Sequence, residues 1–182
     1  ADDFGGVGIY CRQMPKAIIR GLGFPQCDIE GRFIQADFEM FSVGSFLFPY
    51  ADDEDSQNAK FAFMEQFQSH LKKTRRKRRD FIFCGTTHIA HRTIDLGNWA
   101  QHQRESGFLP EERAWMDQVL GPIQFVDAFR KLNKQELQHT WWPFDEAQRF
   151  GTRIDYQLIT PNLAPYVDSV RIITEPRFSP HC

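Results

Sequence analysis

Long apolar runs are missing from this chain. Nowhere do the ~18 consecutive apolar residues needed to span a bilayer occur, so no membrane partner is expected. Cysteine is scarce. The four thiols, Cys11, Cys27, Cys84 and Cys182, form no CxxC pair and no secretory framework, which makes a reducing cytoplasm the expected setting. The opening residues 1–6 have neither the basic start nor the apolar core of a secretory signal. A large excess of positive charge is absent too, since a net charge of −2 argues against a general nucleic-acid binder. Internal repeats and low-complexity linkers are not found, which excludes a repeat array.

What is present fits one domain over residues 1–182: 41% of the residues are hydrophobic, enough for a sizeable core. The charge is unevenly placed. Seven of the 22 basic residues fall between Lys72 and Arg79, so one positive face is expected on an otherwise acidic body. Such a chain could dock a phosphate backbone locally while ignoring bulk nucleic acid.

Strands alternate with helices along the chain. Residues 6–11, 17–22, 32–38 and 41–48 read as successive strands, with turn signals at Gly21-Leu22-Gly23 and Glu30-Gly31. Their lack of intervening helices argues for antiparallel pairing. From Ser56 the period changes. Phe61, Met64, Phe67 and Leu71 recur at helical spacing, with Ser56 or Asn58 as the N-cap and the basic run at the C-terminal end. Cations there complement the helix dipole, which is one reading of the run. The other is a polyanionic partner, because Arg75, Arg76, Lys77, Arg78 and Arg79 repel one another unless something negative relieves them.

Asp80 to Cys84 reads as a fully buried strand stopped by Gly85, with Cys84 packed as an inert thiol. Pro110 opens a helix whose first turn carries Glu111 and Glu112; Gly121-Pro122 ends it. Residues 125–129 and 139–142 are short elements, 153–159 a strand, and 169–173 another. In open α/β sheets chemistry lies just beyond the carboxyl ends of strands. A phosphodiesterase needs an oxygen ligand for a hard metal ion there, and a carboxylate to orient water. The strand ending near Gly85 delivers Thr86 and His88 instead.

Taken in order, several segments resemble the exonuclease III and abasic-site endonuclease family of the endonuclease/exonuclease/phosphatase superfamily. They are residues 5–10, 31–38, Phe48-Pro49, Ile89-Ala90-His91, Asp95-Leu96-Gly97-Asn98-Trp99, residues 107–115, Thr140-Trp141-Trp142, Arg153-Ile154-Asp155 and Ser179-Pro180-His181. The resemblance implies an α/β fold (α+β by some schemes): a four-layer sandwich of two packed, mostly antiparallel sheets flanked by helices. It also implies that the first strands and the last one lie outside this sequence.

The resemblance further implies where chemistry should be, and there the chain departs. The family's Asp-x-Asn positions hold Thr86 and His88. Pro180 stands for the aspartate of its Ser-Asp-His motif and cannot hold His181 in a catalytic tautomer, while Asp155 is expected to pair with Arg153 or His181 in a relic network rather than act as a catalytic acid. Leu47 stands for a tyrosine, and Asp155 and His181 remain as relics. The catabolite repression control branch shares such losses. Residues 15–24, the arginine run leading into Ile82-Phe83-Cys84-Gly85, and Trp141-Trp142-Pro143 carry the likeness to it.

The expectation is therefore a non-enzymatic translational co-repressor acting with an Hfq-type RNA chaperone on A-rich mRNA, without cofactor or bound metal. The alternative is a metal-dependent exodeoxyribonuclease III or AP endonuclease-like hydrolase, and a third reading is a protein-docking scaffold. Expected contacts to RNA or partner are Arg75, Arg76, Lys77, Arg78, Arg79, Lys16, Arg130, Trp142 and Arg153. Of Trp141 and Trp142, one should pack inward and the other face the cleft, where stacking competes with core packing as its role. His91 is expected to be a structural hydrogen-bonding residue.

Overall fold

A computed structural model describes residues 6–143, 150–176 and 179–182. Its centre is one mixed sheet of six strands in the order β1-β2-β3-β4-β6-β5. The strands are β1 (Ala17–Arg20), β2 (Phe33–Asp37), β3 (Phe41–Leu47), β4 (Asp80–Thr86), β5 (Val126–Asp127) and β6 (Asp155–Ile159). The first three pair antiparallel, as their short connections require, although a five-residue helix α1 (Pro25–Ile29) sits between β1 and β2. β3 and β4 run parallel, because α2 (Glu54–Arg75) carries the chain back across the sheet between them. α3 (Pro110–Leu120) and α4 (Ala128–Leu132) complete the helices. The expected α/β layering is present; the described residues form one of the two sheets that the resemblance implies.

Phenylalanine builds the core. Phe33, Phe46, Phe48, Phe63, Phe67, Phe81, Phe83 and Phe125 are buried between the sheet and α2 and α3, with Trp115 and Met116. Rings of this size bring large apolar area, and edge-on pairs such as Phe48–Phe63, with centroids 4.8 Å apart, add to it. The Trp115 indole donates to the Met64 carbonyl at 2.9 Å and ties α3 to α2. Among the described residues no helix is long and apolar enough to cross a membrane.

Several sequence expectations are corrected. Residues 6–11 carry no strand pairing, and residues 169–173 instead line a cavity of about 530 Å³ beside β4 and β6. α2 begins two residues before Ser56. Asp53 is its N-cap, accepting from the Ser56 backbone N–H at 2.8 Å, while Ser56 Oγ accepts from the Asp53 backbone N–H in return. β4 is not buried on both faces. Phe81 and Phe83 enter the core, whereas Ile82 and Cys84 on the other face are half-buried. Gly85 does not stop β4 but lies within it, where a Cβ would fall 1.9 Å from the Phe46 carbonyl oxygen.

Candidate functional site

Backbone register alone brings the central pair together. β4 and β6 are antiparallel neighbours, and Thr86 lies directly opposite Asp155. Opposed residues share a face, so the Thr86 hydroxyl donates to Asp155 Oδ1. Thr140 Oγ1 accepts from the backbone N–H groups of Ile154 and Asp155, both at 3.1 Å, and fixes the start of β6. The C-terminal residues return to this point. Trp142 donates its backbone N–H to the Pro180 carbonyl at 3.0 Å, and Cys182 donates to the Thr140 carbonyl at 2.9 Å. His181 is thereby set beside Asp155, with Nδ1 3.0 Å from Oδ2.

This geometry corrects the reading of Pro180. An aspartate next to His181 in sequence is not needed, because Asp155 supplies the carboxylate from across the fold. With Nδ1–H held by Asp155, Nε2 is the nitrogen left to exchange a proton. Burial opposes ionisation of Asp155, but hydrogen bonds from His181, Thr86 and Thr140 outweigh it and hold the carboxyl below its usual range.

His88 follows two residues past the end of β4, in the left-handed region at φ 53°. Its ring meets that of Tyr50 edge-on at 5.6 Å. Burial, with Lys60 and His181 adding positive charge nearby, lowers its pKa to about 4 against the opposing pull of Asp155. The ring is therefore neutral at pH 7. His88 also lines a cavity of about 650 Å³ with Tyr50, Leu96, Trp141, Phe150 and Ile154. Tyr50 was not anticipated. The signal was one residue beyond Phe48-Pro49, since the turn after β3 swings that exposed phenol over the cleft while Leu47 stays in the strand.

The His91 ring bonds Asp117 on α3 at 2.7 Å and its backbone N–H donates to the Tyr156 hydroxyl at 3.1 Å, a structural role as expected. A buried ion network holds the base of β6. Arg153 pairs with Asp95 at 2.7 Å and Asp127 at 2.8 Å, and Arg130 joins Asp95 at 2.6 Å. Arg153 is 1% exposed, and Arg130 donates to Asp95 and to the carbonyls of Ile94, Asn133 and Gln135. Both guanidinium groups are thus engaged within the fold, and Arg153 also lines the cavity of about 530 Å³.

The basic run divides. Arg79 donates to Ser42 Oγ at 2.6 Å and to the carbonyls of Phe38, Glu39 and Phe41, clamping the β2–β3 hairpin. Arg75 donates to the Ile123 carbonyl at 3.2 Å and to Gln124. Lys16 is paired with Glu39. Arg76, Lys77 and Arg78 are exposed to solvent, as are Lys72 and Lys73 in the last turn of α2. Trp142, predicted to contact a partner, packs against Gly151 and edge-on to His139 at 6.0 Å; Trp141 is the one that faces the cavity.

No group of three or more His, Cys, Asp or Glu side chains converges among the described residues. Asp155 is the one carboxylate in the Thr86–His181 cluster, so these residues alone do not fit a hard-metal site, which takes several oxygen ligands.

No family model matches the chain. It is 30% identical to Recombination repair protein 1 of Drosophila melanogaster across 98% of this chain and 27% of that protein. It is 30% identical to Exodeoxyribonuclease III of Haemophilus influenzae across 87% of this chain and 66% of that one. The solved AP endonuclease from Archaeoglobus fulgidus superposes with a TM-score of 0.73 at 25% identity, covering 83% of this chain and 60% of the other. This chain thus spans only part of the length of each. It belongs to the exonuclease III/AP endonuclease family. The expectation that it is not an enzyme is overturned, because relatives such as Exodeoxyribonuclease III of Haemophilus influenzae and the Archaeoglobus fulgidus AP endonuclease are named nucleases.

Proposed function

We propose that this chain contributes to phosphodiester hydrolysis of the exonuclease III and AP endonuclease type, acting on DNA ends or abasic sites. The observation that carries the reading is the Asp155–His181 pair, 3.0 Å apart beside the C-terminal end of β4. A carboxylate bonded to one imidazole nitrogen fixes the tautomer and stabilises the imidazolium, leaving the second nitrogen to move a proton at the phosphate. Neutral His88 and the Tyr50 hydroxyl stand on the adjoining cavity wall as hydrogen-bonding groups. A volume of about 650 Å³ suits an unpaired sugar more than a duplex.

The test is cleavage of an abasic-site duplex and of a 3′-recessed end by purified protein with Mg²⁺ or Mn²⁺. Changing His181→Ala or Asp155→Asn should lower kcat by about 10²-fold or more. Cleavage untouched by both changes, or no cleavage by the unaltered protein, would sink the reading.

A second role rests on a different observation. Arg76, Lys77 and Arg78 are solvent-exposed at the opposite end of β4 from Thr86. Seven strand residues separate the two ends by ~20 Å. Docking of A-rich RNA held by an Hfq-type chaperone, as in the catabolite repression control branch, would use this end. It predicts complex formation that requires the chaperone and weakens on charge reversal at Arg78; equal RNA binding without the chaperone would contradict it.

A further inference from the structure

Lys60 lies in the second turn of α2 and is 0% exposed. A buried ammonium must spend its hydrogen bonds on protein groups, and each acceptor of this one lies near the cleft. Lys60 Nζ donates to the His88 carbonyl at 2.9 Å, to Glu112 Oε1 at 2.6 Å and to Ser106 Oγ at 3.4 Å. Glu112, in the first turn of α3 and also 0% exposed, turns its other oxygen to the backbone N–H groups of Gly107 at 2.7 Å and Leu109 at 3.0 Å. Gln57 Nε2 adds a contact to Glu112 at 3.3 Å.

The two acceptor segments also hold each other. Ala90 donates its N–H to the Gly107 carbonyl at 2.7 Å. A Cβ at Gly107 would come within 3.0 Å of the His88 carbonyl oxygen, and Gly107 adopts φ +95°. His88 itself is in a left-handed conformation uncommon for a residue with a side chain. Such a conformation persists where its surroundings over-determine it. Here the charged donor on the His88 carbonyl does so, from behind the cavity wall that His88, Ser106 and Gly107 form.

We propose that Lys60 and Glu112 are positioning residues: one buried ion pair locks the His88 and Ser106–Leu109 segments together and so aims the His88 ring into the cavity, against Tyr50. Neither side chain reaches solvent, so neither touches a phosphate. This separates Lys60 from the exposed cations of the basic run. The inference rests on the hydrolase reading for its effect on rate, but the locking itself is a property of the fold.

Removing one partner would strand a buried charge and could unfold the protein, whereas an apolar pair of similar volume is tolerated. The test is therefore the double variant Lys60→Met/Glu112→Leu, with Lys60→Met alone as a second variant. Two measurements are made: kcat and KM on an abasic duplex with Mg²⁺, and amide hydrogen exchange at Ala90, Gly107 and Val43. The double variant should keep its circular dichroism spectrum and its Val43 protection. Protection at Ala90 and Gly107 should fall by about tenfold or more. Its kcat should fall by about 10-fold to 10²-fold with KM within about twofold, because misplacing a group by roughly 1 Å is costly to the chemical step. Unchanged exchange at both amides would overturn the proposal, as would loss of Val43 protection in step with them, which marks general core support. An unchanged kcat beside weakened local protection would overturn the aiming role. If the unaltered protein does not cleave, the hydrolase reading falls, and the exchange data alone decide whether the pair locks the segment.

Discussion

Asp155, His88 and His70 show how individual side chains set the pH range of this fold. His70, on α2 against the rings of Phe33, Phe67 and Phe83, has its pKa lowered to about 4 by burial and by Lys77 and Lys73; its Nε2 is buried without a partner. His88 is lowered to about 4 as well. In the unfolded chain both protonate near pH ~6.5. Below that value the unfolded state binds protons that the folded state refuses. Their contribution is therefore fully present above pH 6.5 and is lost toward pH 4, at about 1.4 kcal/mol per pH unit for each. The Asp155 carboxyl, held low, loses its own contribution at still lower pH as it protonates. The melting temperature should fall steadily from pH 6.5 to 4, and His70→Leu should make that fall shallower. A flat profile across this window would contradict the buried-neutral assignment. None of this was visible in sequence, where His70 is one polar residue on a helix; its burial follows from the rings that converge on it.

At the scale of elements, ion pairs fasten the strands that carry the site. Asp95 accepts from both Arg153 and Arg130 and is 1% exposed. Removing it leaves two cations without their shared partner, so Asp95→Ala should lower stability by about 3–5 kcal/mol in chemical denaturation. A change below ~1 kcal/mol would mean the network does not support the base of β6. Arg79 offers a graded comparison with its neighbour. Arg79→Ala loses the hairpin clamp and should cost about 1–2 kcal/mol, whereas Arg78→Ala should stay within about 0.5 kcal/mol. Equal effects would show that the clamp contributes nothing.

Element positions were well read where periodicity was strong: α2, α3 and strands β1 to β4 and β6 lie where the pattern put them, to within a few residues. The errors were contextual. Residues 169–173 have strand-like composition, yet pairing is decided by neighbours that a local pattern does not encode. Arg75, Arg76, Lys77, Arg78 and Arg79 look alike in sequence, and the bend into β4 alone decides which face solvent. The sequence leaves open whether Asp155 pairs with Arg153 or His181, and the structure forms the bond between Asp155 and His181. Their 26-residue separation is closed by Thr140, Trp142 and Pro180 through backbone bonds that no local pattern encodes.

Across the described residues, the polar cluster and the exposed cations lie at opposite ends of β4. One end of the strand opens on Thr86, Asp155 and His181; the other follows the exposed cations Arg76, Lys77 and Arg78. With a net charge of −2, long-range attraction to nucleic acid depends on that cationic end rather than on the body of the protein. If a phosphate backbone binds there, each cation that meets a phosphate releases counterions, and the slope of log affinity against log salt reports how many do so. Reversing Arg76, Lys77 and Arg78 to Glu should weaken binding of single-stranded nucleic acid. It should also make the slope shallower by about one unit for each phosphate the protein no longer neutralises. Lys16→Glu, at an exposed cation already paired with Glu39, should leave the slope unchanged. Fluorescence anisotropy titrations from low to moderate salt measure both quantities. A slope that stays the same in the triple variant would assign the run to the end of α2 alone, where it complements the helix dipole and meets no partner.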